Sequence, residues 1–285
     1  MAEKTVTCLN GHFIAAARAA VGVADRGFRF GDGVFETVRV EGGVPYQWPV
    51  HMERLQLGLS ALGIASLVDD FTPHAKKLLS KNAAGDGYLR LAVSRGVGSR
   101  GYLPHPPGMP AHWVMEWLPG LAEPTAPCTL WLSTIPRIPP QCLPTQCKLA
   151  QGLNSSLALL EAQRHGADEA LQLGTDGALS EAASANLFWL KEGALHTPAI
   201  ETGCVAGTTR AALIRLGAYP VQLVHAGLAS LETAEAVFLT NCRVGIWPVA
   251  RLEPLGWTWR SSHPIHRRLM SDLSEDRKRH GWASP

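Results

Sequence analysis

The sequence predicts a mixed α/β (α+β) protein of two domains. Its 285 residues exceed what one hydrophobic core comfortably serves. Stretches that alternate apolar and polar residues, the pattern of half-buried strands, interleave with stretches of helical period along the whole chain. A proline-rich run, Glu123-Pro124-Thr125-Ala126-Pro127, separates an earlier set of elements from a later one. The expected division is a small N-terminal α/β domain over residues 1–120 and a larger C-terminal α/β domain over 128–285.

In the first half, Asn10-Gly11 lies between two short strand patterns, and this dipeptide accepts the positive φ of a tight hairpin. The alternating run Val34 to Val40 follows Gly31-Asp32-Gly33 and leads to a second hairpin turn at Glu41-Gly42-Gly43. From Val50 to Leu62 the period becomes helical, with Met52, Leu55, Leu59 and Leu62 on one face and His51, Glu53 and Arg54 around its edges. A second helix is predicted over Thr72 to Asn82, then strands over Tyr88 to Val93 and Ala111 to Trp117, with a Gly- and Pro-rich loop between them.

In the second half, Cys128 to Ser133 reads as a strand, and Pro136 to Pro144 is too rich in proline for either regular element. The spacing then predicts a helix over Leu153 to His165 and a strand over Glu169 to Leu173, with a turn at Thr175-Asp176-Gly177. Strands over Asn186 to Leu190 and Leu195 to Thr197 come next, then a helix from Thr208, a strand over Ala236 to Thr240 and a terminal helix from Pro264.

Composition narrows the function classes. Apolar residues make up 46% and charged residues 18% of the chain, the balance of a globular protein rather than a disordered one. A formal net charge of +2, with only the terminal run Arg277-Lys278-Arg279-His280 as a basic cluster, argues against a nucleic-acid partner. The run reads as a solvated helix end. No apolar stretch approaches the roughly 20 residues of a membrane helix, and Met1-Ala2-Glu3-Lys4 lacks a signal-peptide profile. A soluble, cytoplasmic protein that avoids membranes is the expectation. The six cysteines show no metal-ligand spacing, so reduced thiols and no metal are expected.

Three local patterns can carry chemistry. Gly203-Cys204-Val205-Ala206-Gly207-Thr208-Thr209-Arg210 runs from a glycine-punctuated loop into an apolar-periodic helix, whose first N–H groups suit an anion, while Thr208 or Thr209 can equally serve as an N-cap. Glu181 stands among the small residues Ser180, Ala182, Ala183, Ser184 and Ala185, a setting that lets a flat ligand approach and that also fits a surface carboxylate at a strand entry. Lys148 lies between Cys147 and Leu149-Ala150, where an apolar setting depresses an amine's pKa unless the side chain snorkels outward.

Taken in order, these patterns resemble the fold-type IV pyridoxal-phosphate enzymes, the class IV aminotransferase-like family with the D-amino acid aminotransferase-like fold. Ala24-Asp25-Arg26-Gly27 through Phe35-Glu36-Thr37 is similar to the family's opening motif, and His51-Met52-Glu53-Arg54-Leu55 to its phosphate-arginine helix. Gly166 to Leu171 resembles the strand after the lysine helix, and Ser180-Glu181 through Asn186-Leu187-Phe188 the ring-nitrogen motif. The resemblance implies pyridoxal 5'-phosphate as cofactor, held covalently by Lys148. It implies that Glu181 pairs with the ring nitrogen and that Arg54 with Gly207, Thr208 and Thr209 binds the phosphate, Ser184 and Cys242 being secondary contacts. An amine makes the imine, an anion keeps the ring cationic, and a cation with N–H dipoles anchors a dianion. A homodimer acting on a small-molecule substrate is also implied.

The family includes branched-chain and D-amino acid aminotransferases and 4-amino-4-deoxychorismate lyase. Arg95 to Tyr102, Asn186 to Trp189 and Thr240 to Val249 resemble the lyase branch, which serves folate biosynthesis by making 4-aminobenzoate and pyruvate. The branched-chain enzymes carry a tyrosine five residues after the lysine, where this chain has Leu153, as the lyases do. The lyase run has asparagine at the third position after the lysine, and this chain has Gln151. By the same resemblance Arg100 and Tyr102 are candidates for the substrate's carboxylates, and Phe35 lines the pocket or packs in the core. A D-amino acid or branched-chain aminotransferase is the alternative reading.

Overall fold

The computed structural model describes residues 5–65, 68, 70–104, 106, 108–121 and 123–282. Contacts divide the chain into two units. The first takes the chain up to Leu121, the short segment Cys147–Gln151, and the tail residues His280, Gly281 and Trp282; the second takes Gly152–Arg279 and the stretch before Cys147. The sequence expectation ran one uninterrupted C-terminal domain from 128 to 285. The Cys147–Gln151 segment departs from it because its backbone bonds to a strand of the first unit.

That unit is a six-stranded antiparallel sheet in the order β2-β1-β6-β5-β3-β4. Its strands are β1 (Val6–Leu9), β2 (His12–Ala15), β3 (Gly33–Glu41), β4 (Val44–Pro45), β5 (Gly87–Ser94) and β6 (His112–Pro119). Its helices are α1 (Arg26–Phe30), α2 (Trp48–Leu62) and α3 (Thr72–Lys81). The β1–β2 turn is the predicted one, with Asn10 at φ 48° and Gly11 at φ 84°. Glu41-Gly42-Gly43 likewise turns β3 into β4. Val34, Val38, Val40, Leu55, Leu59, Leu78, Leu89, Leu91 and Met115 form the core. His51, placed at the edge of the α2 stripe by its period, is buried with them.

At its Gly33 end β3 is flanked on one side by β5 and on the other by the Cys147–Gln151 segment. Phe35 N–H donates to Lys148 O at 3.0 Å and Ala150 N–H to Gly33 O at 2.9 Å. These bonds satisfy backbone groups that an open strand edge would leave unpaired.

The second unit is a nine-stranded mixed sheet with three helices. In chain order its elements are β7 (Cys128–Leu132), α4 (Leu153–Arg164), β8 (Glu169–Leu173), β9 (Leu179–Ala182), β10 (Asn186–Lys191), β11 (Ala194–Pro198), α5 (Thr208–Leu216), β12 (Val221–Val224), β13 (Ala236–Asn241), β14 (Gly245–Glu253), β15 (Trp257–Thr258) and α6 (Pro264–Arg279). The path runs β12-β11-β10-β13-β14-β7-β8-β9, and β9 also pairs with β10. The strands from β10 round to β9 therefore close into a ring, which leaves those two no free edge. Pairing is parallel at β11–β12, β14–β7 and β7–β8. Leu130, Leu171, Leu179, Leu187, Trp189, Val237 and Leu239 fill one core; Phe188, Leu213, Phe238, Leu269 and Leu273 fill another, around α5 and α6.

The sequence missed α1, β9, β12, β14 and the two-residue β15 as elements. β9 is Leu-Ser-Glu-Ala, β12 an exposed edge, and β14 carries a proline, so none shows a strong alternation. None of the six cysteines forms a disulfide. Among the described residues no helix is long and apolar enough to cross a membrane.

Candidate active site

In the first unit the predicted residues gather around β3, which presents Phe35 and Glu36 on opposite faces. The Lys148 amine lies 4.3 Å from the centre of the Phe35 ring, and Arg90 approaches the same ring at 5.0 Å. Phe35 is thus a half-buried platform for cations rather than a core residue. Lys148 is itself half-buried, so it is not the outward-snorkelling edge residue that its sequence context also allowed.

On the other face, Glu36 is fully buried and engages the helix above it. Arg54 donates from Nε to Oε1 at 2.7 Å and from Nη2 to Oε2 at 2.6 Å. His51 Nδ1 lies 2.6 Å from Oε2. Burial alone would raise the Glu36 pKa, but the Arg54 charge and the His51 contact bring it down to about 2. Burial pushes the His51 pKa below its ordinary value, so the ring is neutral near pH 7 and donates Nδ1–H to the carboxylate.

The loop with Arg100 and Tyr102 hangs from the opening motif. Arg26 donates to Asp32 Oδ2 and to the carbonyls of Gly101 and Tyr102, all at 2.8 Å. Burial would raise the Asp32 pKa, and hydrogen bonds from Arg95 and Arg26 keep it below the usual range. Asp25 caps α1 by accepting from Gly27 N–H at 2.7 Å. The Arg100 side chain is exposed, as is that of Tyr102 at 88%, so neither forms part of a buried subsite within this unit. Gln151, in the place of the lyases' asparagine, gives its amide to Phe30 O at 3.2 Å.

In the second unit Glu181 is buried in β9, 3% exposed, which removes the surface-carboxylate reading. Arg137 Nη2 lies 2.8 Å from its Oε1, and Asn186 Nδ2 donates to its Oε2 at 2.9 Å. Asn186 also donates to Val205 O at 2.8 Å, tying the carboxylate to the loop before α5. A Cβ on Gly207 would collide with Asn186 Oδ1, so any other residue here would have to displace the Asn186 side chain. Gly207 is the N-cap of α5 and offers no side chain to its N–H groups, which keeps the helix end suited to an anion. Thr208 and Thr209 are both buried there, rather than acting as the cap.

Ser184, expected near the phosphate or ring, is exposed and gives its hydroxyl to the buried carboxylate of Glu169. Burial raises the Glu169 pKa, so that group needs the donors clustered on it. Cys242 is half-buried in the turn after β13.

Sequence reasoning missed Arg137 and the side chain of Asn186. Arg137 sits in the proline-rich stretch with no periodicity to mark it, while Asn186 lay within a quoted motif but was read as strand. Thr240 pairs with Asn186 across β10 and β13, and its fully buried hydroxyl has no hydrogen-bond partner among the described residues.

The fold and these residues are those of the amino-transferase class IV family: the chain matches that family over residues 33–252 and belongs to it. A putative branched-chain-amino-acid aminotransferase of Methanocaldococcus jannaschii is 32% identical over 86% of this chain and 87% of its own length. The 4-amino-4-deoxychorismate lyase of Pseudomonas aeruginosa is 30% identical, with 95% of this chain and 98% of that one covered at a TM-score of 0.82. The branched-chain amino acid aminotransferase of T.th., solved with N-(5'-phosphopyridoxyl)-L-glutamate, reaches a TM-score of 0.87 at 25% identity, covering 98% and 96%.

Proposed function

We propose that the protein is an aminodeoxychorismate lyase, converting 4-amino-4-deoxychorismate to 4-aminobenzoate and pyruvate. Its cofactor is pyridoxal 5'-phosphate, and the residues present fit it. Lys148 offers an amine, Glu181 a buried anion, Arg54 a cation, and α5 an N-terminus without a capping side chain. When bound, the cofactor supplies an aldehyde for amines and a cationic ring that accepts an electron pair from the adjacent carbon.

The protein's own residues do the rest. With the cofactor bound, the Lys148 amine would serve as the base that takes the proton from the substrate's C4. The same amine would return a proton to the enolpyruvyl methylene as the carbon–oxygen bond breaks and pyruvate leaves. The C4 hydrogen lost equals the methyl hydrogen gained, so no oxidant or second substrate is needed. Glu181, fixed by Arg137 and Asn186, presents a carboxylate to the ring nitrogen, and Arg100 and Tyr102 are assigned to the substrate's carboxylates.

The carrying observation is Leu153, five residues beyond Lys148. It begins α4 with a largely exposed isobutyl side chain, where the branched-chain enzymes have a phenol. The 30% identity to the Pseudomonas lyase supports the same reading. The Methanocaldococcus relative, by its name a branched-chain-amino-acid aminotransferase, favours a second one, transamination of branched-chain amino acids with a 2-oxo acid.

Incubation with 4-amino-4-deoxychorismate is expected to yield 4-aminobenzoate and pyruvate in equal amounts with no 2-oxo acid added as co-substrate. Lys148→Ala should reduce this to background. Turnover only when an amino acid and 2-oxoglutarate are supplied would select the aminotransferase. A homodimer belongs to the same proposal: Leu153, Leu157 and Leu160 leave an exposed apolar stripe on α4 that a second copy would cover, which light scattering tests.

A further inference from the structure

Glu36 occupies a position that the fold would more readily give to an apolar residue. It shares a face of β3 with Val34, Val38 and Val40, all buried. A carboxylate there suffers full desolvation unless its lone pairs are met. They are met by Nε and Nη2 of Arg54 and by Nδ1 of His51. The two-point contact through one edge of the guanidinium fixes its plane and thereby aims the opposite edge, which bears Nη1. His51, buried to 1% exposure on α2 one turn before Arg54, holds the carboxylate from the other side.

We propose that Glu36 is a positioning residue that fixes Arg54 for the cofactor's phosphate, with His51 holding Glu36 in turn. The inference rests on the assignment of Arg54 to the phosphate made above. Two effects oppose each other. A preset guanidinium binds a dianion without losing its own side-chain freedom, which strengthens binding, whereas the Glu36 charge repels the phosphate. Aspartate retains the charge and shortens the arm by a methylene, so Glu36→Asp removes the geometry alone.

The test uses the cofactor-free protein and two ligands, pyridoxal 5'-phosphate and pyridoxal, which differ only in the phosphate. Dissociation constants are read from quenching of tryptophan fluorescence, and their ratio measures phosphate recognition. Glu36→Asp is expected to lower the ratio about tenfold while pyridoxal binding stays within about twofold of wild type. Arg54→Ala should collapse the ratio, and adding Glu36→Asp to it should change nothing more. Equal weakening of both ligands by Glu36→Asp, or an unchanged ratio, overturns the proposal. An unchanged ratio in Arg54→Ala removes Arg54 from the phosphate and takes the proposal with it. If Glu36→Asp does not fold, His51→Leu is expected to lower the ratio severalfold and His51→Asn, whose amide can donate from near the Nδ1 position, to restore it. A wild-type ratio in His51→Leu would overturn the assignment.

Discussion

Glu181 shows how much of a buried group's chemistry lies in its neighbours. Its charge is matched by Arg137 and its second oxygen by Asn186. Removing one member of a buried ion pair strands the other. Arg137→Met is therefore expected to lower stability by about 3 kcal/mol, read as a fall in urea midpoint. Adding Glu181→Gln should recover part of that loss, because the stranded charge is gone; no recovery would mean that Arg137 acts through its other contacts, Ser155 Oγ and Gly203 O. Gly207→Ala tests the other end of the cluster. The new methyl would strike Asn186 Oδ1, so Asn186 must leave either Glu181 or Val205 O. Cofactor retained after dialysis is expected to drop about tenfold, a loss of one strong polar contact. Full retention would show that the loop yields without cost.

At the scale of elements, the contact of α2 with β3 controls the setting of Arg54 and Lys148 alike. Gly58 permits that contact: a Cβ there would lie 2.8 Å from Val34 Cγ1 and 3.4 Å from Cys147 Cβ. Alanine favours a helix over glycine by about 1 kcal/mol, while overpacking a core costs about 1–3 kcal/mol. Gly58→Ala should thus be destabilising by about 1 kcal/mol net, and a raised melting temperature would show that α2 can shift away from β3. Most elements were legible in the sequence. The hairpin turns at Asn10-Gly11 and Glu41-Gly42-Gly43 carry the residues that positive φ demands, and strand β8 and the starts of α3, α4, α5 and α6 fall where the periodicity put them. The missed elements lacked such a signal. α1 is five residues with an internal glycine, and β9 becomes a strand through its pairing with β8 and β10.

For the whole molecule, buried ionisable groups give stability a definite pH dependence. His51 and His266 both have pKa values pushed below 6.5 by burial. As pH falls through that value the unfolded chain takes up protons that the folded chain refuses, so stability declines. Below 4.5 the decline continues, because Glu36, held at about 2 when folded, binds a proton more readily unfolded. Glu169 works in the opposite sense: its raised pKa contributes stability in acid that is lost as pH rises. The melting temperature is expected to fall steadily from about pH 7 to pH 4. A flat profile would show that the histidines are protonated in the folded protein.

By itself the sequence determined the kinds of group available and their order: the amine at 148, the carboxylate at 181, the glycine-led helix start at 207, and the local periods that make helices and strands. These are short-range properties, set by backbone preference and by side chains a few residues apart. Only the tertiary structure decided that Glu36 meets Arg54 and His51, that Arg137 meets Glu181, that Ser184 turns to Glu169, and that the Lys148 segment lines the edge of β3. The reason is physical. A buried charge is governed by everything within a few ångströms of it, and most of those atoms come from distant parts of the chain.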